Sequence, residues 1–353
     1  MFNKIFFIAI LIGVPLSVAG NLMHWPQTIM FIVFCSTIVA LAAYMGRATE
    51  SLAIHSGPRI GGLLNATFGN AVELIISIFA LKAGYISIVL ASLTGSVLGN
   101  LLLVGGLSFF VGGLKYKQQK FNVHDARHNS ALLMFGVVVA FVFPEIFAMN
   151  LDEAEALTLS IWVSGILIVL YLCALLFKLV THRGVYSQEG GDEDTHEEEE
   201  AEWSLKRAIT ILALATAAVA YVSEALVHTF EAVGEQFGWS EVFIGVIIVA
   251  IVGNAAEHAS AIIMAFKNKM DIAVEIAVGS TLQIAMFVAP LLVLLSLLFP
   301  TPMALVFTIP ELVSMVLAVL LTNSIANDGD TNWFEGATLL AAYFIMGVGF
   351  YLL

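Results

Sequence analysis

The sequence predicts an all-α integral membrane protein of eleven transmembrane helices: one additional helix plus two inverted five-helix repeats. Three observations carry that expectation. Composition is the first: 60% of residues are hydrophobic, 12% are charged and the mean hydropathy is +0.96, values that exclude a soluble globular domain. Second, apolar runs of about 20 residues recur along the chain, the length a helix needs to cross a bilayer. Third, one signature occurs twice, as Gly69-Asn70-Ala71-Val72-Glu73 and Gly253-Asn254-Ala255-Ala256-Glu257. The two blocks align without a gap at an offset of 184 from Gly69 to Val104, with ten of 36 positions identical. Each Glu is followed 23 residues later by the Ser of a Gly-Ser pair, Gly95-Ser96 and Gly279-Ser280.

The predicted spans, in order, are 4–21, 26–46, 60–82, 86–113, 130–149, 157–180, 205–229, 241–266, 270–299, 303–323 and 335–353. Pro26, Pro58, Pro300 and Pro302 punctuate the joints between them, and Gly-rich or polar sequence does so elsewhere. The chain start has the shape of a signal peptide, with Lys4, an apolar run and Ser17-Val18-Ala19-Gly20. The loop-charge count works with this segment retained as a span. The expected organisation is a first helix in 1–25, a five-helix repeat in 26–182, a cytoplasmic acidic segment in 183–204 and the second repeat, inverted, in 205–353.

Orientation follows from Lys and Arg in the loops. With the N-terminus inside, the inner loops carry Lys4, Arg47, Arg59, Lys115, Lys117, Lys120, Arg127, Lys178, Arg183, Lys206, Arg207, Lys267 and Lys269. The outer side carries Lys82 alone. The expectation is N-in and C-out. The signature glutamates then lie in spans three and eight, which run in opposite directions. At about 1.5 Å per residue, Glu73 lies ~20 Å and Glu257 ~24 Å into their spans, near the bilayer midplane.

Charge and cysteine content exclude other classes. Nine of the acids behind the net charge of −13 lie between Glu189 and Glu202, so no acidic surface is implied overall. No basic stretch suits nucleic acid. Cys35 and Cys173 both fall in apolar spans and are too few for a thiolate metal site. No His-Glu-x-x-His set or nucleophile–base set suggests an enzyme.

A carboxylate inside a membrane span is a functional-site hypothesis by default, because its burial costs several kcal/mol. Two such groups at one depth cannot both remain charged and unpaired; they take protons or share a cation. A divalent cation neutralises both at once, and so do two protons. That mutual exclusion is the minimum required of a proton-coupled cation antiporter. Glu73 and Glu257 supply hard oxygen ligands, and Gly69-Asn70 and Gly253-Asn254 are expected to break their helices and free carbonyls for the ion. Asn70, Asn254, Ser96, Ser280, Asn100 and Gln283 add neutral oxygens. With only His258 to offer nitrogen nearby, the set favours Ca²⁺ over Zn²⁺ or copper and leaves Mg²⁺ and Mn²⁺ open.

These residues resemble the cation/proton exchanger (CAX) branch of the calcium/cation antiporter superfamily. The matching words are Gly-Asn-Ala-Val-Glu with Gly-Ser-Val-Leu-Gly-Asn at 95–100, and Gly-Asn-Ala-Ala-Glu-His with Gly-Ser-Thr-Leu-Gln at 279–283. The one-plus-five-plus-five layout and central acidic segment match as well. The resemblance implies that Glu73 and Glu257 carry Ca²⁺ and H⁺, that Asn100 and Gln283 line the pathway, and that spans two and seven are gate helices. It implies no cofactor beyond the transported ions. In the sodium/calcium exchanger branch a Pro typically precedes the key Glu; Val72 and Ala256 stand there instead, which favours protons over Na⁺. An Na⁺-coupled exchanger is the first alternative, a passive cation channel the second.

The remaining candidates carry less. His258 points about 100° away from Glu257 on a helix; a structural hydrogen bond is favoured over a proton relay. Glu50 and Glu224 recur near comparable places in spans two and seven, either as a proton route or gating pair or as solvated helix ends. Glu145 and Glu311 each follow a Pro and are expected towards the outside, as cavity-mouth acids. The acidic run, including Glu197, Glu198, Glu199 and Glu200, would concentrate cytoplasmic divalent cations or regulate transport; a self-repelling linker is the plainer account. A lipid bilayer and Ca²⁺ are the expected partners, with homo-oligomerisation left open. Without a long N-terminal regulatory extension, a bacterial cytoplasmic membrane is favoured over a vacuole.

Overall fold

The computed structural model describes residues 2–181 and 201–353. Glu197, Glu198, Glu199 and Glu200 lie outside the described residues. The described chain is helical, in the order α1 (Phe2–Leu22), α2 (Gln27–Phe68), α3 (Ala71–Lys82), α4 (Ile86–Tyr116), α5 (123–148), α6 (Glu153–Thr181), α7 (Leu205–Val227), α8 (Phe230–Phe237), α9 (Glu241–Phe266), α10 (Met270–Ser296), α11 (Ile309–Ile325) and α12 (Trp333–Leu352). Two three-residue strands interrupt it, β1 (Gln118–Lys120) and β2 (Asp330–Asn332).

Among the described residues, eight helical stretches are long and apolar enough to cross a membrane: Gln27–Gly57 and those in α4, α5, α6, α7, α9, α10 and α12. The shorter apolar helices Phe6–Leu22 and Ile309–Ile325 fall where spans one and ten were expected. The expected third span is divided. Its first part is the end of α2, beyond a break at Gly57 (φ 77°, ψ 169°), and its second is α3. A positive φ of that kind is open to glycine at no steric cost. Pro58, read as a joint, lies just after this break and inside helical backbone.

By contact, the chain forms two compact units that interleave along the sequence. The first holds α1–α3, the end of α6, α7, α8 and the short stretch Val252–Ala256 of α9. Within it, α2 lies along both α1 and α7, and α3 packs on α7. Small residues let α1 approach, since a β-carbon on Gly13 would fall 2.5 Å from Thr37 Oγ1. At one end of α7, buried Trp203 stacks on Tyr44 at 5.7 Å between ring centroids. The guanidinium groups of Arg47 and Arg207 lie 5.2 and 5.9 Å from the indole. His55 Nε2 donates to the Trp203 carbonyl at 2.8 Å, and Arg47 pairs with Glu202. Towards the other end of α7, Lys82 and Glu224 form an exposed ion pair at 2.9 Å.

The second unit holds α4, α5, most of α6 and the remainder of α9–α12. Its centre is α4, whose residues from Ile88 to Leu102 are all buried. Backbone-to-backbone packing accounts for that burial: a β-carbon on Gly95 would lie 2.0 Å from the Val246 carbonyl oxygen, and one on Gly245 would lie 2.6 Å from that of Ile88. The wide turns at Gly99–Val104 and Ile284–Val288 are π-helical and fall at nearly equivalent positions under the offset of 184. The sequence motif is therefore echoed in backbone geometry. On α6, Trp162, Ile166, Val169, Leu172 and Leu176 are exposed, an apolar face suited to lipid.

The short sheet was not expected. β1 and β2 pair antiparallel, with Gln118 opposite Asn332 and Lys120 opposite Asp330. Beneath them the buried Gln119 amide donates to the Ala265 carbonyl at 3.0 Å and to Asn268 Oδ1 at 2.8 Å. The loops after α4, α9 and α11 thus gather at one end of this unit. At another point the Leu305 N–H donates to Ser160 Oγ at 2.9 Å.

Candidate functional site

The first signature opens a helix. α2 ends at Phe68, Gly69 and Asn70 form the joint, and α3 begins at Ala71. Asn70 takes the N-cap position with φ −97° and ψ 18°, and Glu73 falls in the first turn. Both side chains are buried, Asn70 at 3% exposure and Glu73 at 0%. Free N–H groups of a first turn give that end of a helix partial positive charge, so an acidic side chain is well placed there.

The second signature departs from the expectation. Gly253 and Asn254 lie inside continuous helix from Ala250 to Phe266, with no break before Glu257. The wider turn in this helix comes earlier, at Ile244–Val249. Gly253 instead serves close packing: within the first unit, an added β-carbon would stand 3.2 Å from Glu73 Cβ. Ala256 also faces this unit, 3.9 Å from the position a Gly46 β-carbon would take. Asn254 is buried at 2% exposure.

Glu257 itself belongs to the second unit. The Ser280 hydroxyl hydrogen-bonds its carboxyl, while Oε2 is buried without a hydrogen-bond partner among the described residues. Asn100 Nδ2 donates to Ser280 Oγ at 3.0 Å, and His258 Nε2 lies 3.2 Å from Asn100 Oδ1. The four residues come from three helices, since α9 carries Glu257 and His258, α4 carries Asn100 and α10 carries Ser280. Ser96, on α4, is fully buried. Gln283 ends the regular part of α10, just before the π turn.

Among the described residues no group of three or more His, Cys, Asp or Glu side chains is placed to hold a metal ion. Within the second unit, Glu257 stands with the Ser280 hydroxyl and the Asn100 amide, carboxylate and neutral oxygens of the kind hard cations take.

Glu224 sits one turn from the end of α7 in the exposed pair with Lys82. Glu50 is exposed on α2. Glu311 is not a cavity-mouth acid: it is 3% exposed and closes a capping box, accepting from the Thr308 N–H at 2.8 Å and its hydroxyl at 2.7 Å. Glu145 accepts from the Phe307 backbone N–H. Ser77 was overlooked in sequence. It lies one turn beyond Glu73, 1% exposed, and its hydroxyl has no hydrogen-bond partner among the described residues. The i+4 spacing from Glu73 is the signal that finds it; its repeat counterpart is Ala261, so duplication does not.

Comparison with known proteins bears on the whole chain. The family model described as "Sodium/calcium exchanger protein" matches residues 26–180 and 207–352. The Ca²⁺/H⁺ antiporter ChaA of Bacillus subtilis (strain 168) is 73% identical over 351 residues, 99% of this chain and 100% of that one. The Ca²⁺/H⁺ antiporter of Aphanothece halophytica is 43% identical over 99% of this chain and 96% of its own. Among solved structures, that of native YfkE superposes with a TM-score of 0.88 at 68% identity, covering 99% of this chain and 100% of that one.

Proposed function

The chain belongs to the sodium/calcium exchanger protein family, and from that premise we propose that it is a Ca²⁺/H⁺ antiporter, an integral membrane transporter and not an enzyme. The observation that carries this is the end-to-end identity of 73% with a Ca²⁺/H⁺ antiporter. The transported ions are the ligands, and no cofactor enters.

In this reading Glu73 and Glu257 are the carriers. Facing the cytoplasm, both lose protons and bind Ca²⁺; facing outward, protons displace it. Gly69, Asn70, Gly253, Asn254, Ser96, Ser280, Asn100 and Gln283 supply or position the neutral oxygens around the ion. Supporting this are the burial of Glu73 in a helix first turn and the single hydroxyl donor to Glu257. Either loaded state is electrically relieved, whereas the empty, doubly charged state is not and should cross poorly. Net exchange is thereby favoured over leak. Val72 and Ala256 in place of proline speak for protons over Na⁺ as the coupling ion. Glu50, one to two turns before the Gly57 break in α2, and the Lys82–Glu224 pair at the ends of α3 and α7 would act as a proton route or gate rather than on the ion. The acidic run through Glu197–Glu200 would concentrate divalent cations beside the entrance.

We also propose eleven spans as one plus two inverted five-helix repeats, N-in and C-out in a bacterial cytoplasmic membrane. Within the second unit, the basic loops after α4 and α9, assigned to the inside by charge, meet the loop after α11, which the span count places on the same side, around β1 and β2, and this shared side supports that arrangement.

The test is ⁴⁵Ca²⁺ uptake into proteoliposomes under an imposed pH gradient without Na⁺. Gradient-driven uptake, lost in Glu73→Gln and in Glu257→Gln, is the expected result. Uptake that follows an Na⁺ gradient instead would move the assignment to a sodium-coupled exchanger.

A further inference from the structure

We propose that His258 is a positioning residue for Glu257, acting through an oriented hydrogen-bond chain that crosses three helices. The chain runs from His258 Nε2 to Asn100 Oδ1 (3.2 Å), from Asn100 Nδ2 to Ser280 Oγ (3.0 Å), and from the Ser280 hydroxyl to the Glu257 carboxyl.

Its direction follows from the groups themselves. An amide oxygen has lone pairs and no proton, so the ring nitrogen facing Asn100 Oδ1 must carry the hydrogen. His258 is therefore the Nε2–H tautomer. Its donation fixes the Asn100 amide, so that Nδ2 is turned to Ser280. With a donor arriving at its oxygen, Ser280 is free to spend its own proton on the carboxyl. All three donations thus run in one direction along the chain, and the last, from the Ser280 hydroxyl, reaches Glu257. In the reversed order the Ser280 proton would be turned to Asn100, and its lone pairs would face an ionised carboxylate. Leaving a buried polar group in that state costs about 1–3 kcal/mol, more for a charge.

The consequence is a division of labour on one carboxyl group. One oxygen is held by Ser280. Oε2, buried and without a hydrogen-bond partner among the described residues, is left for the transported ion. His258 and Asn100 are both buried, at 8% and 1% exposure, so water cannot readily replace a missing link. Adjacency in sequence hides the connection: the His258 ring leaves α9 in a different direction from the Glu257 side chain and returns to it by way of α4 and α10.

The transport arm of the test rests on the antiport reading; a spectroscopic arm does not. In proteoliposomes, His258→Leu should raise KM for Ca²⁺ roughly 10–100-fold, the usual effect of removing an outer partner of an ion ligand, with a smaller change in maximal rate. His258→Gln keeps an N–H donor and should recover most of that loss. Wild-type KM in His258→Leu, or equal impairment in both variants, overturns the proposal. Absence of pH-driven uptake in the wild type would count against antiport alone. The ¹⁵N spectrum of histidine-labelled wild-type protein in nanodiscs, assigned with His258→Gln, then decides. An Nε2–H tautomer at His258 supports the chain, and an Nδ1–H tautomer overturns it.

Discussion

Gly253 stands against Glu73, so close that a β-carbon on the glycine would lie 3.2 Å from Glu73 Cβ and 3.4 Å from its Cα. The glycine of one signature is thus the packing surface for the glutamate of the other, a role invisible in either motif alone. A Gly-to-Ala change within a helix gains about 1 kcal/mol in propensity, whereas overpacking a tight contact costs about 1–3 kcal/mol. Gly253→Ala should therefore be neutral to mildly destabilising and should lower Ca²⁺ uptake by displacing Glu73. Gly279, the glycine of the second Gly-Ser pair, has nothing within 4 Å of its would-be β-carbon. Gly279→Ala should hold or raise the unfolding temperature. Thermal unfolding of the two purified variants makes the comparison, and a less stable Gly279→Ala than Gly253→Ala would refute it.

The Lys82–Glu224 pair joins α3 to α7 in an exposed setting, where solvent screens most of the attraction. Lys82→Gln or Glu224→Gln should change stability by no more than about 1 kcal/mol. Unlike Glu73→Gln, Glu224→Gln should still support pH-driven uptake. Abolished uptake would place Glu224 on the proton route.

Trp203 is expected to matter far more to stability. It is buried, stacked on Tyr44 and flanked by two arginines, and it fastens the start of α7 to α2. Trp203→Ala should destabilise by about 3–5 kcal/mol, as large-to-small changes of buried aromatics do. Denaturant or thermal unfolding of the solubilised protein would read it directly. Trp203→Phe should retain most of the stacking and lose less.

Capping by Glu311 gives a prediction of the opposite kind from an ion carrier. Glu311→Gln keeps an acceptor for the Thr308 donors and should fold with modest loss. Glu311→Ala removes both bonds at 2.7 and 2.8 Å and should cost about 0.5–2 kcal/mol. A transport defect in Glu311→Gln without loss of stability would show that the group does more than cap.

Much of this was legible in the sequence because hydrocarbon is an unforgiving solvent. Apolar runs mark α4–α7, α9, α10 and α12 to within a few residues, and a carboxylate in such a run, as at Glu73 and Glu257, draws notice at once. The first Gly-Asn joint was also readable. The second was misread because glycine serves two ends, chain breaking and close approach, and sequence does not say which one operates at Gly253. Glu311 misled similarly: burial and capping place a Glu after Pro310 as readily as an ion pathway does. Pairing of β1 with β2, three residues each, leaves no periodic trace. The His258–Asn100–Ser280 chain joins residues 158 and 180 positions apart, and that tertiary placement has no local signal.

Mutual exclusion of Ca²⁺ and protons on the two glutamates is the centre of the account, and it can be measured without transport. Purified protein in weakly buffered detergent, titrated with Ca²⁺ while pH is followed, should release about two protons per ion bound, because binding requires deprotonated ligands. Glu73→Gln and Glu257→Gln should each reduce both the binding and the release. Tight Ca²⁺ binding with no proton release, unaltered by either substitution, would contradict the shared-carboxylate mechanism.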